Sequence, residues 1–216
     1  MVKRLIAMPA YNEGKVIARV IRSIKLEGFK DILVVDDCSQ DNTSSEAKKS
    51  GAIVLRHLIN RGAGAATMTA ISYAKEQGFD ELVLIDSDGQ HLPKDIHKLV
   101  RAKGDVVLGY RNFKSKKIPL SRRFFNIVGN LITWIFFGLY VKDSQSGFKV
   151  LRKRALQKIV LTYDRFEFCS ELIGEIKKKN LKYSQVPINV IYNDYSRSKG
   201  QSFFNGIKMV LRLIFR

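Results

Sequence analysis

Through its first 111 residues the chain alternates short, continuously apolar runs with amphipathic stretches, and no other feature restricts its fold as strongly. The runs are "LIAM" (5–8), "ILVVD" (32–36), "AIVLR" (52–56), "LVLID" (82–86) and "DVVLG" (105–109). Helices are expected between them over 14–27, about 43–50 and 63–77, and after Pro93. Strands this short and this apolar are buried on both faces, so the pattern predicts an α/β fold with a mostly parallel sheet flanked by helices. In such sheets ligands bind outside the carboxyl ends of the strands. The polar residues that follow each strand are therefore candidates for one site.

Those strand ends read "PAYNE" (9–13), "DDCSQDNT" (36–43), "NRGAGAA" (60–66), "DSDGQH" (86–91) and "GYR" (109–111). Each alone fits a turn or a helix cap. Together they gather two acidic pairs, an arginine and exposed backbone amides around one crevice, which turn chemistry does not require. In an extended segment residues i and i+2 point to one side, so Asp86 and Asp88 are expected to face one spot, where their repulsion calls for a cation. The segment is not an EF-hand loop, since its sixth and twelfth positions are His91 and His97 instead of glycine and glutamate. Nor does it fit the Asp-x-Asp of a dehalogenase-type phosphatase, expected on a first strand and found here after the fourth. His91 is expected to touch a diphosphate or an acceptor, His57 to be structural, and His97 to lie on the surface.

After residue 111 the rhythm and the charge both change. Residues 1–105 carry 16 Lys+Arg against 14 Asp+Glu, and residues 106–216 carry 22 against 6. The second half therefore calls for a polyanionic partner, lipid head groups or nucleic acid. A basic loop, "NFKSKKIPLSRR", leads into "FFNIVGNLITWIFFGLY" (124–140), apolar on most faces yet carrying Asn126, Asn130 and Thr133. Such a helix is either buried in the core or laid on a bilayer. At 203–216, Lys208, Arg212 and Arg216 stand four residues apart, a basic stripe on a greasy helix suited to the head-group layer. Grease interleaved with charge favours an anionic membrane surface over nucleic acid, and none of the common nucleic-acid motifs occurs. No run reaches the ~18 clean apolar residues of a membrane span, so the contact is expected to be interfacial. The N-terminal apolar run breaks at Pro9, unlike a signal peptide. Two cysteines, Cys38 and Cys169, form no disulfide framework or metal cluster and suit a reducing cytoplasm.

In this order "PAYNE", "VVDDCSQDNT", "RGAG", "DSDGQH", "GYR" and "DSQSGF" (143–148), with "RSKGQS" at 197–202, resemble the GT-A glycosyltransferases of family 2. The likeness is greatest to the synthases of polyprenyl-phosphate sugars, the dolichol-phosphate mannose and glucose synthases. It implies a Rossmann-like GT-A fold, with residues 1–111 as a nucleotide-sugar half, 112–202 as an acceptor half of the same domain, and 203–216 as a membrane-surface helix. By the resemblance Pro9, Ala10, Tyr11, Glu13, Asp37, Arg61 and Asp86 contact the nucleotide, and Asp86, Asp88 and Gln90 hold Mg²⁺ or Mn²⁺. Asp88, Arg111, Arg197 and Lys199 serve catalysis. Arg122, Arg123, Asp143, Gln145 and Ser146 lie on the acceptor side, where Asp143 is expected to orient an arginine or a sugar hydroxyl, because it would repel a phosphate. The implied activity is inverting transfer from GDP-mannose, UDP-glucose or UDP-GlcNAc to a polyprenyl phosphate, or to another glycan or glycolipid acceptor. A peripheral position on the cytoplasmic face of the membrane follows, with a membrane subunit or a second copy of the chain left open as partner.

Overall fold

A computed structural model describes residues 2–111, 120–165 and 167–191, with backbone only over 120–125. Seven strands form one sheet: β1 (Arg4–Ala10), β2 (Ile32–Asp36), β3 (Ile53–Arg56), β4 (Glu81–Leu84), β5 (Val106–Arg111), β6 (Lys149–Arg152) and β7 (Tyr183–Ile188). Their order is β3-β2-β1-β4-β6-β5-β7. Every pairing is parallel except those of β6, which runs antiparallel between β4 and β5.

The helices are α1 (Ile17–Leu26), α2 (Thr43–Lys49), α3 (Ala63–Glu76), α4 (Ile96–Arg101), α5 (Leu120–Phe137), α6 (Lys153–Lys158) and α7 (Phe168–Lys178). Alternate strand residues enter two separate cores. Ile6, Met8, Val34 and Val83 pack under α1 and α4, where α1 offers Ile17, Val20, Ile21 and Ile24 at helical spacing. Leu5, Ala7, Leu33 and Leu82 pack under α3 and α7, and α3 approaches the sheet closely through Ala66, Ala70 and Ala74. One sheet thus takes strands from both halves of the chain.

This topology fixes where the site is. The chain builds outward from β1 to β3 and then returns to place β4 on the other side of β1, so a crevice opens between the loops after β1 and β4. Ser87 Oγ donates across it to the Pro9 carbonyl (2.7 Å). Because β6 is antiparallel, with Lys149 beside Leu84 and Leu108, the segment before it, 143–148, arrives at this same rim. The parallel pairing of Arg111 with Ile188 brings the segment after β7 there too.

Candidate active site

β4 ends at Leu84, earlier than the apolar run predicts. Ile85 N still donates to Ala7 O (3.1 Å), but residues 87–89 form a turn. The expectation that Asp86 and Asp88 share one face of a strand is therefore corrected: Asp86 precedes the turn and Asp88 lies within it, each with its own partner. Asp86 Oδ2 accepts a hydrogen bond from His91 Nε2 (2.8 Å), and Asp88 accepts from Gln90 N (2.9 Å) and Gln90 Nε2 (2.6 Å). The carboxylates still sense each other. Burial, and then the charge of Asp86, push Asp88 up to about 6. Burial would raise Asp86 as well, but the His91 imidazole bonded to it, with Lys149 and Arg111 beyond, outweighs burial and holds it below the usual carboxylate range. The expectation for His91 is also corrected. Its ring is only 5% exposed and packs on Phe148 (5.1 Å between centroids), so it backs Asp86 and does not line the crevice.

On the β1 side, Tyr11 is exposed at the rim and Glu13 is buried beside it, with its backbone N–H on Thr43 Oγ1 (2.8 Å). Ala10 O accepts from Asp37 N (2.9 Å), and Gln40 N donates to Asn12 Oδ1 (2.8 Å), which knits "PAYNE" to "DDCSQDNT". The first two acids of that loop, Asp36 and Asp37, look inward. Asp36 accepts from Ser39 N (2.9 Å) and from the Ser44 hydroxyl, and Asp37 accepts from Arg61 N (3.0 Å), Gly62 N (2.6 Å) and His57 Nδ1 (2.7 Å).

Two amides of the "RGAG" turn, and one just after it, are turned inward. Those of Arg61 and Gly62 hold Asp37, and that of Ala65 donates to Asp164 O (2.9 Å). Its glycines answer a different need, since a methyl group at Gly64 would overlap the Tyr163 carbonyl and one at Gly62 the Asp164 carbonyl. Segment 162–165 is itself held down by Glu171 of α7, which accepts from Thr162 N (2.9 Å) and Tyr163 N (3.0 Å). Arg61 pairs with Asp164 across the turn (2.9 Å).

On the far side Arg111, at the end of β5, grips Asp143 through Nε (2.7 Å), a terminal nitrogen (2.8 Å) and its backbone N–H (3.0 Å). Asn126 Nδ2 adds a fourth bond to Asp143 (2.7 Å). Asn130 bridges Asn126 Oδ1 (3.0 Å), the Lys142 carbonyl (2.8 Å) and Ser144 N (2.8 Å). Gln145 Nε2 lies 3.3 Å from Ser170 Oγ, and Ser146 is buried. The side chains of Arg122 and Arg123 are not described, and Arg197 and Lys199 lie outside the described residues.

Sequence reasoning missed Lys149. This lysine is 1% exposed, donates to the Ser146 carbonyl and lies 3.6 Å from Cys169 Sγ, whose thiol is pushed up by burial. The signal available was a lysine inside the apolar strand "FKVL". It also missed the inward course of Asn126 and Asn130, although the spacing of Asn126, Asn130 and Thr133 marks one stripe of a helix.

Among the described residues no group of three or more His, Cys, Asp or Glu side chains could hold a metal ion. Asp86 and Asp88 fit one as an open pair: two hard oxygen donors, one carrying a raised pKa that a cation would relieve, with the remaining ligands left to a diphosphate and water.

The sequence profile of glycosyl transferase family 2 matches residues 5–160. UDP-N-acetylglucosamine–dolichyl-phosphate N-acetylglucosaminyltransferase of Methanococcus voltae is 35% identical over 233 residues, covering 96% of this chain and 93% of that protein. Undecaprenyl-phosphate mannosyltransferase of Micrococcus luteus is 27% identical over 209 residues, covering 90% and 86%. The crystal structure of glucosyl-3-phosphoglycerate synthase from Mycobacterium tuberculosis, solved with Mn²⁺ and UDP-glucose, superposes with a TM-score of 0.72 at 18% identity, over 99% of this chain and 77% of that one, and shares the GT-A fold. With strand-end motifs gathered on one rim and a profile match across most of its length, the chain belongs to glycosyl transferase family 2 and is a glycosyltransferase.

Proposed function

We propose that the chain transfers a sugar, with inversion, from a UDP- or GDP-sugar to a polyprenyl phosphate at the cytoplasmic surface of a membrane, aided by Mg²⁺ or Mn²⁺. The observation that carries this reading is the reversed burial of α5. Asn126, Asn130 and Thr133 are 7%, 5% and 0% exposed, whereas Ile127, Trp134 and Ile135 are 65%, 50% and 64% exposed. A helix that turns its amides inward and its aliphatic face outward suits a surface in contact with hydrocarbon. Its inward stripe reaches Asp143 and Arg111, so a prenyl chain lying along the outer face would deliver its phosphate to the rim. Both named relatives use prenyl-linked phosphate acceptors by name, with different sugars. No helix among the described residues is long and apolar enough to cross a membrane.

The chemistry then rests on charge and position. A phosphate monoester has a second pKa of about 6, by analogy with phosphorylated side chains, and attacks the anomeric carbon without needing a base. Asp143, bonded by Arg111 and Asn126, fixes the arginine at the rim where the acceptor phosphate would arrive. A divalent cation at Asp86 and Asp88 would neutralise the charge that grows on the departing nucleoside diphosphate. Gln90, bonded to Asp88, joins that site, and Arg197 and Lys199 would close over the diphosphate. Pro9, Ala10, Tyr11 and Glu13 line the nucleotide side, where Asp37 holds the Arg61 turn in place.

The test is transfer from radiolabelled UDP-GlcNAc, UDP-glucose and GDP-mannose to dolichyl or undecaprenyl phosphate in detergent, with and without Mn²⁺. Metal-dependent label in the lipid fraction is expected. Label appearing on a water-soluble phosphate such as 3-phosphoglycerate, and none on lipid, would overturn the acceptor assignment.

A further inference from the structure

Asp86 is held from two sides. His91, only 5% exposed, donates from Nε2 to its Oδ2 (2.8 Å) with its ring tilted against Phe148. Nδ1 of the same ring is buried and meets no hydrogen-bond partner among the described residues. An ionised carboxylate only accepts, so Nε2 is the donor and points its proton at Asp86. The second side is Gly147. Its Cα lies so close to the Asp86 carboxylate that a methyl group there would overlap Oδ1, the carboxylate carbon and Oδ2 together. Its φ is not in the left-handed region, so contact with Asp86 is what keeps the position free of a side chain.

The backbone ties both residues to the rim. His91 forms a lone antiparallel bridge with Val190, and Ile191 N donates to the Gln90 carbonyl (2.8 Å). Gly147 lies between Ser146, whose carbonyl Lys149 holds, and Phe148, whose ring carries His91.

We infer that His91 and Gly147 are positioning residues that together set the orientation of the Asp86 carboxylate for a divalent cation, His91 by a directed hydrogen bond and Gly147 by leaving room. The inference rests on the proposal that Asp86 and Asp88 hold that cation. Carboxylates that bind metals are themselves hydrogen-bonded, and loss of such an outer partner lowers metal affinity by about 10–100-fold. His91 also lends its ring to the packing on Phe148, so substitutions must separate shape from hydrogen bonding.

The experiment measures free Mn²⁺ by electron paramagnetic resonance, in the presence of whichever of UDP or GDP raises the melting temperature of the full chain. His91→Phe keeps a ring on Phe148 and removes the donor; its Mn²⁺ affinity is expected to fall by about 10–100-fold. His91→Gln returns an N–H near the place of Nε2 and should recover most of the loss. Gly147→Ala keeps the His91 donor yet displaces a flexible carboxylate, and should lower Mn²⁺ affinity to a similar degree while the melting temperature without metal stays near that of the parent. Parent-like Mn²⁺ affinity in both His91→Phe and Gly147→Ala would overturn the positioning role while leaving the cation site standing. A parent chain that binds no Mn²⁺ with either nucleotide would overturn the cation site itself. If His91→Phe does not fold, Gly147→Ala alone decides.

Discussion

Asp88 is a carboxyl that the fold keeps protonated longer than water would, and its raised pKa of about 6 has two measurable consequences. The unfolded chain releases this proton near 3.9. Between that value and 6 the native state binds the extra proton, so stability is lost as pH rises through this window and stays lost above it. Asp88→Asn removes the penalty. At pH 8 without metal it should raise stability by about 1–2 kcal/mol, less than the ~3 kcal/mol that two pKa units are worth, because the amide gives up one of the bonds from Gln90. The gain should vanish below about pH 4, and transfer activity should be abolished throughout; melting curves across pH and a single transfer assay check both. Metal must also displace that proton. Apparent Mn²⁺ affinity should therefore fall about tenfold per pH unit below 6 and level off above it, readable by titration calorimetry. The acidic pair was legible from "DSDGQH" alone. Its geometry was not, because nothing in a sequence announces that β4 stops at Leu84, or that His91 folds back behind Asp86.

Among the elements, α5 separates what a pattern can reveal from what only packing decides. Asn126, Asn130 and Thr133 recur at i, i+4 and i+7, which marks a stripe; its inward direction depends on Ser170 of α7, whose hydroxyl meets Thr133 Oγ1 (2.9 Å). A lone sequence carries no trace of that meeting. Two substitutions one residue apart should therefore behave oppositely. Asn130→Leu strands the Lys142 carbonyl, Ser144 N and Asn126 Oδ1, and is expected to cost about 2–3 kcal/mol in urea unfolding. Leu131→Glu, on the outer face, should change stability by no more than about 0.5 kcal/mol while lowering recovery with lipid vesicles at high salt. The early strands were readable as continuous apolar runs because both faces of a parallel sheet are covered. β7 was not. "YSQVPI" is half-buried at the sheet edge and contains Pro187, which an edge strand accommodates and which reads as a break in any run. The "RGAG" turn was legible as a turn, but the reason for its glycines lies one hundred residues away in segment 162–165, beyond any local pattern.

For the whole molecule, charge and grease are distributed in a way that no single element reveals. The basic excess falls almost wholly after residue 105, in the same half that exposes the apolar face of α5. Attachment to an anionic membrane should accordingly have two parts with different signatures. The part from Lys and Arg is worth about 1 kcal/mol per residue near the surface and is screened by salt, whereas the part from apolar area is not. Recovery with phosphatidylglycerol–phosphatidylcholine vesicles should thus fall, without vanishing, between 0.1 and 0.5 M NaCl, conditions in which the Debye length shortens from about 10 Å to a few ångströms. Residues 203–216 lie outside the described residues, but their basic stripe of Lys208, Arg212 and Arg216 belongs to the screened part. Removing them should lower recovery at 0.1 M NaCl and leave the fraction that survives 0.5 M NaCl nearly unchanged, because that fraction rests on α5. Leu131→Glu should do the reverse, sparing low-salt recovery and removing the salt-resistant remainder. A truncated chain recovered as fully as the parent at low salt would show that the stripe does not touch lipid. A Leu131→Glu chain that keeps its salt-resistant fraction would remove α5 from the membrane surface, and with it the route by which a prenyl phosphate reaches Arg111.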